Sequence, residues 1–197
     1  MSADRKSFFE SLDVKTRRDF LKAAAMAGVS STVLFAGPSL ALAAGDKEKD
    51  VAIMNTALGL EHQAIAAYMA GAGTKLLSDP VLNVAVKFMK QHQEHRDALA
   101  KTIKAFGGKP VEAKASYDVG KIASDVGVKE LKSEKDIVML AMKLEAQATS
   151  AYYGAIPGIA SKDVLKAAVS IMADEAQHTA ILRNALGEDA VPSAFVS

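Results

Sequence analysis

Two stretches of this chain occur twice. Leu60–Tyr68 reads LEHQAIAAY and Leu144–Tyr152 reads LEAQATSAY, a shift of 84 residues; His92–Leu99 reads HQEHRDAL and Glu175–Leu182 reads EAQHTAIL, a shift of 83. Nearly equal displacements of two separate segments mean that the repeated unit is a pair of elements with their connection, not one helix matched by chance. Whatever the chain folds into must therefore be built from two similar halves.

Each half reads as a pair of helices. Apolar residues recur at spacings of three and four, the period of one helical face. The first segment, about Lys47 to Ala72, carries Ile53, Ala57, Glu61, Ala64 and Tyr68 on that face. The second, about Pro80 to Phe106, carries Val81, Val84, Phe88, His92, His95, Leu99, Ile103 and Phe106. The third, about Glu134 to Ala155, has Val138, Ala141, Glu145, Ala148 and Tyr152, and the fourth, about Lys162 to Leu186, has Val164, Ala168, Ile171, Glu175, His178, Leu182 and Ala185. Asp79 before Pro80 reads as an N-cap, Ser133 with Asp136 as a capping box, and Gly107–Gly108 and Gly187 as stops. Short loops, around GTKLLSD and IPGIAS, join first to second and third to fourth, so each pair is an antiparallel hairpin. The long segment between Gly107 and Lys132 is too long for a hairpin turn and must cross over. The expectation is an all-α four-helix bundle of two αα-hairpins joined by a long crossover.

Every one of the four seams is interrupted at its centre by ionisable groups. An unpaired buried charge costs several kcal/mol, so six such side chains facing one core require mutual pairing or a cation. They also lie at one depth. Glu61 is about ten residues from the end of its helix and His92 about twelve from the start of its own, roughly 15 and 18 Å from the turn at 1.5 Å per residue. Glu145 and Glu175 lie about as deep in the second hairpin, at about ten and thirteen residues. His62 is about 100° round the helix from Glu61 and reads as a surface or interhelical residue; Gln93 and Glu94 also fall off the seam.

Composition narrows the chemistry. There are no cysteines, which excludes disulfides, thiolate nucleophiles, cysteine-held clusters and cysteine-ligated zinc, so a metal must be held by His, Asp, Glu or Tyr. With 24 basic and 23 acidic residues there is no electrostatic case for nucleic acid. No glycine-rich phosphate loop is present.

The pattern of one Glu on each of two helices and Glu-x-x-His on each of the other two resembles the ferritin-like and rubrerythrin-like di-metal carboxylate proteins. Glu61, Glu145, Glu175, His95 and His178 stand at matching positions, and the resemblance covers nearly all of residues 44–187. It implies a ferritin-like bundle holding one or two ions of non-haem iron or manganese. It further implies redox, ferroxidase-like or peroxidase-like chemistry in oxidative stress or metal handling, and an electron donor outside the chain. A homo-oligomer is compatible with the pattern. His92 departs from it, standing where the family has its second Glu. A neutral imidazole has one free lone pair and cannot bridge two ions, so His92 is open between ligand and hydrogen-bond partner, and the site between two ions, one, or none. Tyr68 and Tyr152, each seven residues after a Glu, are candidates to support the ligands or to pack in the core. The competing reading is a non-catalytic ferritin-like module of the cell envelope, its polar core a metal-free network.

Ahead of the helices, TRRDFLK at residues 16–22, a weakly apolar run and the box ALA at 41–43 resemble a twin-arginine signal peptide, with Arg17 and Arg18 as its arginine pair. The resemblance implies a signal over residues 1–43, passage through the twin-arginine export machinery, and a periplasmic or otherwise exported protein. Residues 188–197 read as a C-terminal tail.

Overall fold

The computed structural model describes residues 44–196, and the signal assigned to residues 1–43 lies outside the described residues. Five α-helices are present among the described residues: α1 Ala44–Gly73, α2 Asp79–Ala105, α3 Val119–Asp125, α4 Glu134–Ala155 and α5 Lys162–Ala185, with a 3₁₀ turn, Ile156–Gly158, between the last two. There is no strand among the described residues. The four long helices agree with the periodic segments to within three residues at each end.

Local chemistry explains the ends. Asp136 accepts from the Ser133 backbone amide at 2.9 Å while the Ser133 hydroxyl accepts from the Asp136 amide at 3.2 Å, the reciprocal box that opens α4. α2 starts one residue earlier than expected. Ser78, not Asp79, is the cap, because the first helical hydrogen bond runs from the Leu82 amide to the Ser78 carbonyl at 2.8 Å. Asp79 then lies in the first turn, where a carboxylate favours the positive end of the helix dipole. The chain leaves α2 through Gly107 at φ +81°, a left-handed position that a side chain would disfavour.

The hairpins α1–α2 and α4–α5 bury three apolar groupings. Met54, Leu58, Leu99, Ile103, Tyr152 and Ile171 fill one end, and Tyr68, Phe88, Val138, Met142 and Leu182 the other. The third belongs to the crossover, which is not a plain loop. Asp118 caps α3 by accepting from the Lys121 amide at 2.9 Å, and Ile122, Ala123 and Val128 pack on Ala67, Leu140 and Leu144. Upstream, Asn55 holds the crossover backbone twice, donating to the Lys109 carbonyl at 3.1 Å and accepting from the Val111 amide at 2.8 Å. His62 meets the same segment, its Nε2 lying 3.2 Å from the Val111 carbonyl. It thus faces the crossover rather than the core, as its position off the seam predicts.

Candidate metal centre

Midway along the bundle the apolar core gives way to a polar layer. Glu61 on α1, His92 on α2, Glu145 on α4, and Glu175 and His178 on α5 are all 2% exposed or less. His95 on α2 joins them with its side chain 13% exposed. All six residues singled out by sequence therefore meet. They form two overlapping groups, Glu61–His92–His95–Glu175 and His92–Glu145–Glu175–His178, each offering ligand atoms within 4.8 Å of one another. Glu175 and His92 belong to both.

The repeat reappears as an approximate twofold relation. Tyr152 of the second hairpin donates to Glu61 of the first at 2.8 Å. Reciprocally, Tyr68 of the first hairpin makes a short hydrogen bond to Glu145 of the second. Burial first, then the carboxylates facing them, push both phenols well above their usual range, so each stays a neutral donor. Both tyrosines therefore support the glutamates and also pack in the core.

Two residues absent from the sequence expectation complete the layer. Asp174 Oδ2 lies 3.3 Å from His95 Nε2 and 3.4 Å from His178 Nε2, and Gln91 Oε1 lies 3.1 Å from His178 Nε2. Once the ring is neutral, an acceptor at Nε2 keeps the remaining proton there and leaves Nδ1 with its lone pair facing the layer, the outer-partner arrangement usual for metal-bound imidazoles. The signal was present in the sequence: Asp174 is four residues before His178 and so shares its face, and Gln91 precedes Asp174 by the repeat shift of 83. The ring of Phe88, stacked on His178 at 3.9 Å between centroids, restrains that imidazole further.

Five buried atoms point into the layer without a hydrogen-bond partner: His95 Nδ1, His178 Nδ1, Glu145 Oε2 and both oxygens of Glu175. His95 Nδ1 and Glu175 Oε1 are 3.1 Å apart but outside hydrogen-bonding geometry. Leaving such groups unsatisfied costs about 1–3 kcal/mol each, so the arrangement is expensive unless a cation accepts those lone pairs. His92 is different: its Nδ1 is 2.8 Å from Glu61 and its Nε2 is 3.1 Å from Glu145, a ring engaged at both ends.

The electrostatics of the protein groups alone point the same way. Burial would pull the histidines down, but carboxylates outweigh it: Glu145 and Glu61 raise His92 to about 10, Asp174 and Glu175 raise His95 to about 12, and Glu145 and Glu175 raise His178 to about 9. Glu175 itself is pushed up to about 7, by burial and by the neighbouring Glu145 carboxylate. Burial opposes ionisation of Glu61 and Glu145 as well, yet the histidines hold Glu61 below its usual value and Glu175, His178 and His92 hold Glu145 well below. The layer is thus a strong sink for positive charge. With Asp174 it contains four carboxylates, enough to balance two divalent cations where the three glutamates alone fall short. An oxygen and imidazole donor set without thiolate suits iron or manganese, so the residues fit such a centre.

A helical bundle with a buried carboxylate–histidine layer of this arrangement defines a class of fold, and comparison with known proteins gives its family. Residues 49–188 match the ferritin-like domain family, and the chain belongs to it. No curated protein matches by sequence. A conserved hypothetical protein of Mycobacterium tuberculosis has a similar structure, with TM-score 0.63 and 22% identity over 76% of this chain and 99% of that one. A ferritin-like, diiron-carboxylate protein of Bacillus anthracis str. Ames is also similar, with TM-score 0.59 and 20% identity over 72% of this chain and 97% of the other. Both likenesses concern the fold.

Proposed function

We propose that this chain is an exported ferritin-like protein whose central layer binds two ions of non-haem iron or manganese. One would be held by Glu61, His95 and Glu175, the other by Glu145, His178 and Glu175. The observation that carries this reading is the set of five buried, unpartnered ligand atoms shared between two groups that have Glu175 in common. When bound, iron or manganese supplies one-electron redox chemistry toward oxygen, peroxide or ferrous iron. The chain's own part is to bind and shield. Asp174 and Gln91 keep the histidine Nδ1 lone pairs inward, Tyr68 and Tyr152 hold the glutamates at fixed angles, and the surrounding Phe88, Val138 and Ile171 exclude bulk water. Export is supported by the twin-arginine pattern at Arg17 and Arg18, and with no cysteine-held iron site in the chain the reductant is a separate molecule.

The test is elemental analysis of the purified protein after aerobic reconstitution with ferrous iron. About two equivalents per chain are expected, falling to less than about a tenth in Glu175→Ala, because that residue serves both ions. Unchanged metal content in the variant overturns the assignment. The hydrogen bonding of His92 at both nitrogens favours a second reading, a metal-free structural network in a non-catalytic module; it predicts no bound metal in the parent protein.

A further inference from the structure

The bundle has a gap at the end where the α1–α2 loop lies. A cavity of about 170 Å³ opens between all four long helices, with Pro80, Ile181 and Ala185 at its exposed mouth and Val138, Leu182 and Tyr68 at its buried floor. Its walls are otherwise alanine, valine, leucine, isoleucine and glycine. Close approach of α1 to α4 shapes one side: a Cβ on Gly71 would come within 2.9 Å of Ile137 Cγ2. The single polar side chain in the lining is Tyr68, and its hydroxyl is already given to Glu145. The cavity therefore has no side chain free to pair with a charge or with a strong hydrogen-bonding group.

We propose that this cavity is a binding site for a small, uncharged apolar molecule, of the size of a single aromatic ring or a short alkyl chain. Three physical points select that occupant. A charged or strongly polar molecule would lose its hydration with nothing in the walls to replace it. Size excludes larger ligands, since sites for drug-sized molecules run from about 300 Å³ upward, whereas an apolar cavity of about 150 Å³ accepts benzene or xenon. Position gives the site its consequence: the floor is the ring of Tyr68, one hydrogen bond from Glu145, so an occupant lies against the Glu145–His178 side of the polar layer. By contrast, a second cavity, of about 20 Å³, touches His92 and Glu145 of the layer and is lined by Gln63 and Gln147 as well as by Leu60, Ala64, Leu144 and Ala148; it has room for a water molecule and no more. That the occupant serves the centre as an uncharged organic substrate rests on the metal reading, while the binding itself does not.

Benzene is the probe, titrated into the full-length protein with methyl resonances as readout, once metal-free and once reconstituted with iron. Saturable shifts confined to methyls such as those of Ile137, Val138, Leu140 and Leu182 are expected in both forms, and benzoate at equal concentration should produce none. Ala141→Phe and Ala85→Phe, which fill the cavity from α4 and α2, should each weaken benzene binding at least about tenfold while helicity and bound metal stay at the parent level. Either variant that folds is sufficient to decide. Absence of saturable shifts, equal shifts with benzoate, or binding retained in a folded filling variant overturns the proposal. Because benzene binding is read without metal, its loss and the loss of metal binding are separate results.

Discussion

Asp174 is the residue through which a mid-helix carboxylate on the rim controls two histidines. It is 26% exposed, yet it faces the outer nitrogens of both His95 and His178. Removing such an outer partner typically costs 10–100-fold in metal affinity, so Asp174→Ala should weaken iron or manganese binding by about that factor with the helical signal unchanged, as competition with a chelator would measure. Titration of the layer gives opposite pH slopes for two quantities. In the metal-free protein, folding raises His178 and His92 to about 9 and about 10 from an ordinary 6.5. Their contribution to stability is complete below pH 6.5 and lost as pH rises through 9 to 10. Glu175, raised to about 7, acts in the same direction at lower pH, costing stability as pH rises from 4.5 through 7. Stability of the metal-free protein in urea should thus decline from about pH 6 toward pH 10. Metal affinity should rise over that range, because binding must displace those protons; calorimetry in buffers of different ionisation enthalpy would detect their release.

At the level of elements, the helices are held in register by polar contacts near their ends. Asp50, buried in α1, accepts from the backbone amides of Ala160 at 2.9 Å and Ser161 at 2.8 Å, just where α5 begins. This one carboxylate ties the first helix of one hairpin to the connection of the other. Asp50→Ala leaves two amides without their acceptor, and a loss of about 3 kcal/mol in unfolding free energy is expected by urea denaturation. Most element boundaries were readable because caps act locally: Ser133 with Asp136 and Gly107 depend only on their own backbone. α3 was not readable. Its seven residues, VGKIASD, contain Gly120 and show no seam, and it is held by packing of Ile122 and Ala123 on α1 and α4, contacts far away in sequence.

For the molecule as a whole, the layer joins both hairpins, so a cation bound there links four helices at once. Ligand that binds only the folded state stabilises by mass action, about 2.7 kcal/mol at a free concentration 100 times Kd. Manganese or ferrous iron should therefore raise the thermal midpoint in a concentration-dependent way, and Glu175→Ala should abolish that increase. None of the described helices is long and apolar enough to cross a membrane. What the sequence by itself determined was the helical period, the duplicated hairpin and the six ionisable positions at one depth, because periodicity belongs to a single helix and repeat spacing is read along the chain. Tertiary structure alone decided which atoms meet. The crossed tyrosine–glutamate pairs, Asp174 between two histidines, His92 reaching both groups and the apolar cavity above Tyr68 all depend on how one hairpin is laid against the other. Spacing along one chain segment carries no information about that.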